Sequence, residues 1–176
     1  VAPIVSQVSS VADTGDGQLV ENELTSAAIT SLVVTFDHAV ADPPGDSGSD
    51  DVTNPANYLL VEADGDGFQT LACSAGADPG DNSIAVDNAS YTAATRIATL
   101  SLNGGAPLAL GSYRLFVCGS TSIVDLDGLP LDGDGDGTGG DDFVRSFEID
   151  EGDGIPAAAD NCPLVSNPGQ EDAEHD

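Results

Sequence analysis

The chain has 176 residues, with 31 Asp or Glu against 3 Lys or Arg, so its formal net charge is −28 and lysine is absent. A field of that sign repels phosphate backbones and anionic lipid, which excludes nucleic acid as a partner and leaves cations as the natural counterpart. The 40% of apolar residues is enough for one domain of ordinary size plus an appendage, and 5% aromatics with no Trp make the core aliphatic.

No stretch approaches the ~18 consecutive apolar residues of a membrane helix, so membrane insertion is not expected. The start at Val1-Ala2-Pro3 and the lack of Met read as a mature or excised product, secreted or at the cell surface. Cys73, Cys118 and Cys162 fit no zinc spacing, since none lies two to four residues from another. In an oxidising compartment three cysteines give one bridge and one left over.

In chain order, the first strand-like run is 4–8. It is followed by Asp13-Thr14-Gly15-Asp16-Gly17-Gln18-Leu19-Val20-Glu21-Asn22-Glu23, which resembles an EF-hand loop shortened by one residue, with Asp13, Asp16, Glu21 and Glu23 as candidate ligands. Its flanks read as strand or turn rather than long helices. In 31–37, Leu32, Val34 and Phe36 alternate with Val33, Thr35 and Asp37, as a half-buried strand requires. The loop that follows carries Asp42, Asp46, Asp50 and Asp51 without a recognisable spacing.

Further strand-like runs fall at 58–62, 68–73, 84–91, 96–102, 113–118 and 143–149, about eight in all, punctuated by turn clusters such as Asp42-Pro43-Pro44-Gly45-Asp46, Asp78-Pro79-Gly80-Asp81 and Asn103-Gly104-Gly105. Asp64-Gly65-Asp66-Gly67 reads as a hairpin turn between two of them. Cys73 and Cys118 lie at strand ends; if those strands are neighbours the two can bridge, the alternative being buried free thiols. Together these features define an all-β protein, an antiparallel β-sandwich of about seven to nine strands.

Between the last two runs, Asp132-Gly133-Asp134-Gly135-Asp136-Gly137-Thr138 places acids at alternate positions with glycines between, the way a loop curls carboxylates around a hard cation. Two carboxylates ~4 Å apart repel by about 1 kcal/mol in water and several times more near a protein surface, so such a cluster opens unless a cation neutralises it. Where an EF-hand has its closing Glu this chain has Phe143, and the additional acids are Asp141 and Asp142. The competing reading is a solvated acidic loop. Beyond residue 149 the last 27 residues carry eight acids, no Lys or Arg and only scattered apolar side chains. A tail of this composition is disordered unless bound cations or neighbouring protein hold it.

Two resemblances refine this reading. Residues 3 to 149 look like the bacterial immunoglobulin-like domains of surface-layer proteins and adhesins, on Leu32-Val33-Val34-Thr35-Phe36-Asp37-His38-Ala39-Val40, Asn54-Pro55-Ala56-Asn57-Tyr58, Leu110-Gly111-Ser112-Tyr113-Arg114-Leu115 and Asp125-Leu126-Asp127-Gly128-Leu129-Pro130-Leu131. The family usually has Asn where Leu129 stands. The likeness implies an immunoglobulin-like sandwich over 1–149, with Tyr113 placed as a tyrosine corner whose hydroxyl is pinned to nearby backbone.

The tail, 150–176, is similar to the thrombospondin type 3 repeat, on Asp153-Gly154-Ile155-Pro156-Ala157-Ala158-Ala159-Asp160-Asn161-Cys162-Pro163 and Asn167-Pro168-Gly169-Gln170-Glu171-Asp172-Ala173-Glu174-His175-Asp176. Ile149 and Ala157 replace expected acids, and Glu151 and Glu174 stand where Asp is usual. Such repeats wind an almost core-free chain around calcium ions (Ca2+), which implies ligand roles for Glu151, Asp153, Asp160, Asn161, Asp172, Glu174 and Asp176. The sequence stops before the second cysteine of that repeat, so Cys162 lacks its family partner; a truncated piece, a cleaved product or a bond to another chain would each account for it.

Enzymatic readings find little support. Gly135-Asp136-Gly137-Thr138-Gly139-Gly140 satisfies a loose dinucleotide pattern, but its aspartates would repel a pyrophosphate and no helix follows. His38 beside Asp37 reads as a strand-end histidine, since no nucleophile motif accompanies it. The expectation is a non-enzymatic, calcium-stabilised extracellular structural or adhesive module. It would be either a repeat of a large surface protein or a subunit of a filament assembled through its terminal segments, with copies of itself or adjacent domains as partners. The alternatives are an accessory carbohydrate-binding domain of a secreted enzyme, against which the lack of Trp argues, and salt adaptation without specific ions.

Overall fold

A computed structural model describes residues 1–10 and 17–170. Among the described residues the chain forms nine strands: β1 (Val5–Ser10), β2 (Glu23–Thr25), β3 (Ser31–Phe36), β4 (Tyr58–Ala63), β5 (Asp81–Ile84), β6 (Val86–Thr92), β7 (Ile97–Leu102), β8 (Gly111–Val117) and β9 (Phe143–Ile149). They make two sheets, ordered β1-β3-β7-β6 and β2-β9-β8-β4-β5. Pairing is antiparallel except between β2 and β9, which run parallel. The molecule is an all-β two-sheet sandwich.

Alternation decides which side chains fill the space between the sheets. Leu32, Val34 and Phe36 of β3 and Ala98, Leu100 and Leu102 of β7 face Leu60 of β4, Tyr113, Leu115 and Val117 of β8, and Phe147 and Ile149 of β9 in one cluster of buried residues. Removing aliphatic side chains from water in two facing rows is the main favourable term in holding the sheets together. Tyr113 is 1% exposed, its ring stacks on Phe147 at a centroid distance of 5.5 Å, and its hydroxyl donates to the Ala109 carbonyl at 2.9 Å. That contact is the tyrosine corner expected from the sequence.

Val61 and Phe116 are fully buried yet belong to the opposite face of the β4–β8 sheet, in register with Arg114. The 64–80 connection lies on this side: Arg114 sits over the Phe68 ring at 4.1 Å, and Cys118 is bridged to Cys73. The expected pairing of the two cysteines is therefore present.

Three local expectations differ from the structure. Residues 68–73 are not a strand; the Gln69 and Thr70 N–H groups donate to the Asp81 carboxylate (3.1 and 2.6 Å) instead of to a neighbouring strand, so the alternation there records the packing of Phe68 and Thr70. Asp64-Gly65-Asp66-Gly67 does not close a hairpin, because the strand that pairs with β4 begins only at Asp81. Residues 84–91 divide into the end of β5 and most of β6, which join different sheets. β2 is only three residues long and begins at Glu23, the last residue of the loop-like 13–23 segment.

Candidate metal centres

The loop between β8 and β9 is anchored at Leu131, whose N–H donates to Ile123 O (2.9 Å), and at Asp132, whose N–H donates to Pro3 O (2.9 Å). Asp132 is 4% exposed. Its Oδ1 accepts from the N–H groups of Gly135 (2.8 Å) and Asp136 (3.1 Å), and its Oδ2 from that of Gly137 (2.9 Å). One carboxylate thus curls five residues around itself. Gly133 is required there by close approach, since a Cβ would lie 2.2 Å from the Asp142 carbonyl carbon, and Gly137, at φ +94°, holds a backbone conformation that other residues avoid.

Asp141 closes the far side of the loop, its Oδ1 accepting from Gly133 N–H (2.9 Å) and its Oδ2 from Asp134 N–H (3.1 Å). Asp134 accepts from Asp136 N–H at 2.9 Å. The result brings one oxygen each from Asp132, Asp134 and Asp141 within 4.8 Å of one another. The Asp136 N–H holds the Asp134 carboxyl down, but desolvation and repulsion from Asp136 and Asp141 outweigh it and raise the group above the ordinary carboxylate range.

Asp136 and Asp142, also candidates, lie outside that trio. Asp136 is exposed and accepts from Thr138 N–H at 2.7 Å. Asp142 receives Cys73 N–H (2.7 Å) on one oxygen and the Ser120 N–H (2.9 Å) and hydroxyl (2.7 Å) on the other, tying the loop to the disulfide.

A second cluster follows β9. Asp150 N–H donates to Thr25 O of β2 at 2.9 Å, and its buried carboxylate accepts from Gly152 and Gly154 N–H, both at 3.0 Å. This turn directs Glu151 and Asp153 towards Asp160, and one oxygen from each lies within the same 4.8 Å limit. Asp153 also accepts from Asn167 N–H at 3.0 Å, and Asp160 Oδ1 from Cys162 N–H (2.8 Å) and the Gln170 side chain (2.9 Å).

Two oxygens of this cluster, Glu151 Oε1 and Asp160 Oδ2, are shielded from solvent and accept no hydrogen bond. An all-oxygen donor set with unsatisfied shielded carboxylate oxygens fits a hard cation such as calcium or magnesium. A backbone N–H holds the Glu151 carboxyl down, but desolvation and the adjoining Asp153 and Asp160 raise it overall. Asp160, which accepts from Cys162 N–H and Gln170, is lowered.

Asn161 braces the turn rather than joining the trio, through Gln170 Oε1 (2.8 Å), Gln170 O (3.0 Å) and Asn167 Nδ2 (2.7 Å). Glu21 Oε2 accepts from Ser146 N–H at 2.9 Å and stands 3.9 Å from Arg145, while Glu23 accepts from Val20 N–H at 2.7 Å. Both fasten the β2 segment; neither joins a group of three acids among the described residues. Asp13, Asp16, Asp172, Glu174 and Asp176 lie outside the described residues. Sequence reasoning passed over Asp150, although Asp150-Glu151-Gly152-Asp153-Gly154 repeats the acid and glycine punctuation of the Asp132 loop.

The fold and the two clusters define a β-sandwich with acidic loops able to hold metal ions. No family model matches the chain, and no curated protein matches it. A crystal structure of the S-layer protein rSbsC(31-844) is similar at a TM-score of 0.43 and 13% identity, over 85% of this chain and 14% of that one. The chain therefore spans about one seventh of that neighbour's length, and a likeness of this size carries no weight of its own. Among the described residues no helix is long and apolar enough to cross a membrane.

Proposed function

We propose that the protein is a non-enzymatic extracellular structural or adhesive module whose loops are stiffened by calcium. In this reading the sandwich is immunoglobulin-like and the tail is a thrombospondin type 3-like segment. Asp132, Asp134 and Asp141 would hold one ion, and Glu151, Asp153 and Asp160 a second. Calcium supplies positive charge that cancels the repulsion among these carboxylates. The chain itself supplies anchored turns that fix where the carboxylates stand: Asp132 and Asp150, both buried, organise the backbone, and the more exposed acids complete each set. A tail with no core of its own becomes rigid when its acids share an ion, so the mechanism is mechanical.

The observation that carries this reading is the pair of shielded, unsatisfied oxygens on Glu151 and Asp160 inside a three-carboxylate cluster. A disulfide between Cys73 and Cys118 supports an oxidising, extracellular setting. Whether the module is a repeat within a larger surface protein or a filament subunit joined through its terminal segments is decided by the length of the native polypeptide. Amide exchange and thermal unfolding, with calcium and with excess chelator, test the reading. Chelation is expected to lower the melting temperature and to speed exchange over 150–170. Identical profiles in both buffers would refute it.

A further inference from the structure

We propose that the ion of the Glu151, Asp153 and Asp160 cluster latches residues 20–25 over the edge of β9, so that calcium closes a sheet edge which its removal opens. This inference rests on the ion assignment of the proposed function, and within it on the cluster whose Glu151 Oε1 and Asp160 Oδ2 are shielded and unsatisfied.

β9 is paired with β8 along its whole length, from Phe143 to Ile149, but on its other side β2 covers only Phe147 to Ile149. Residues 20–22 extend that cover with irregular backbone. The Asn22 N–H donates to Ser146 O at 2.7 Å, and Glu21 Oε2 accepts from Ser146 N–H at 2.9 Å, so a side chain stands in for the next residue of a strand. Parallel pairing over three residues is marginal by itself. Asn22, at φ +60°, also holds a left-handed conformation less favourable than the ordinary strand region.

The strap is supported at both ends. Before it, Leu19 is buried and its N–H donates to Val8 O at 2.8 Å, an anchor in the other sheet. At its far end it is backed by the tail turn. Asp150 N–H donates to Thr25 O at 2.9 Å and prolongs the β2 and β9 pairing, and a methyl placed on Gly152 would lie 3.4 Å from Ser26 Cβ, so the turn stands directly against the strap. The same turn carries Glu151 and Asp153. Without an ion the three carboxylates repel and two of their oxygens lack a partner, which favours conformations that spread them apart. The ion binds the closed turn, and the closed turn is the one that holds Thr25. Ion binding and strap closure then favour each other by the same factor.

Amide hydrogen exchange of the full chain, in 10 mM calcium and in chelator at matched ionic strength, tests the latch. Asn22 and Ser146 are the reporters, because their N–H groups cross between the strap and β9 and neither bonds to a tail residue. For a ~1 mM site with full coupling, calcium is expected to slow both by up to about tenfold, with a smaller change at Leu100 of β7 in the other sheet. Glu151→Gln with Asp153→Asn is expected to abolish the effect, and Asp134→Asn with Asp141→Asn to preserve it. If calcium protects 150–160 but leaves Asn22 and Ser146 unchanged, the latch is refuted and the proposed function stands. If it protects neither, both fall. Equal slowing at Leu100 would report global stabilisation. An effect that survives the tail substitutions, or that needs Asp134 and Asp141, would come from another site. Either result overturns the latch, and the comparison of calcium with chelator on the unmutated chain decides even where a variant fails to fold.

Discussion

Replacing Asp134 by Asn separates a calcium loop from a merely acidic one through the sign of its effect. Asp134 is exposed, and the hydrogen bond that its carboxylate accepts from Asp136 N–H at 2.9 Å ends on an oxygen that Asn also possesses. Without metal, the substitution removes a charge that its neighbours Asp136 and Asp141 disfavour, so the variant is expected to be as stable as the parent or slightly more. With metal it removes a ligand. For a dissociation constant of ~1 mM, typical of extracellular calcium modules, 10 mM calcium stabilises the folded chain by RT ln(1 + 10), about 1.4 kcal/mol for one site. At about 2–4 °C per kcal/mol for a domain of this size, that is about 3–6 °C. Calorimetry in 10 mM calcium and in chelator, at matched ionic strength, reads the difference. The reasoning fails if Asp134→Asn leaves the calcium-induced shift as large as in the parent, or if it destabilises the metal-free protein by the same amount.

Other expectations follow from the same structure. Replacing Cys73 and Cys118 together by Ser opens a link between residues 45 apart; the chain-entropy relation gives a loss of about 4 kcal/mol, and the urea midpoint measures it. Tyr113→Phe keeps the stack on Phe147 but loses the hydroxyl bond to Ala109 O, a loss of about 1 kcal/mol by denaturant titration. For Asp81 and Asp37, desolvation is the largest single influence and pushes the carboxyls up. Hydrogen bonds outweigh it, chiefly from Thr70 and Gln69 for Asp81 and from Ile4 and His38 for Asp37, and hold both below the ordinary range. A depressed folded pKa adds stability that is fully present above the unfolded value of ~3.9 and is lost as the pH falls through the lower folded value. Acid unfolding should therefore steepen below about pH 4, and Asp81→Asn should flatten that limb; an unchanged limb would contradict the assignment.

Much of the sandwich is legible in the residues because a strand with one buried face repeats every two positions. Leu32, Val34 and Phe36 announce β3 without help from any other part of the chain, and the 113–118 and 143–149 runs do the same for β8 and β9. The same signal misleads at 68–73, where Phe68 and Thr70 alternate but the backbone N–H groups find Asp81 in place of a strand. Periodicity records which side chains are covered; it does not record what receives the hydrogen bonds. Acid and glycine spacing marked out the Asp132 loop for the same local reason, since a curled loop needs its carboxylates and its permissive backbone close together in sequence.

Which acids stand close enough to share an ion was decided by contacts between distant segments. Asp142 stands next to Asp141 in the chain, yet it serves Cys73 and Ser120 because the disulfide draws the 64–80 connection across the sheet. Asp160 reaches Glu151 only because Asp150 fastens its turn to β2. Asp51, which no spacing distinguished from Asp50, is buried because Asn54, Asn57 and Tyr58 fold the loop over it. Composition fixed the sign of the counter-charge, since 31 acids against three arginines leave a net charge of −28. The tertiary fold fixed the places where that balance matters, because a carboxylate needs a specific counter-charge only where folding has removed the water that would otherwise screen it.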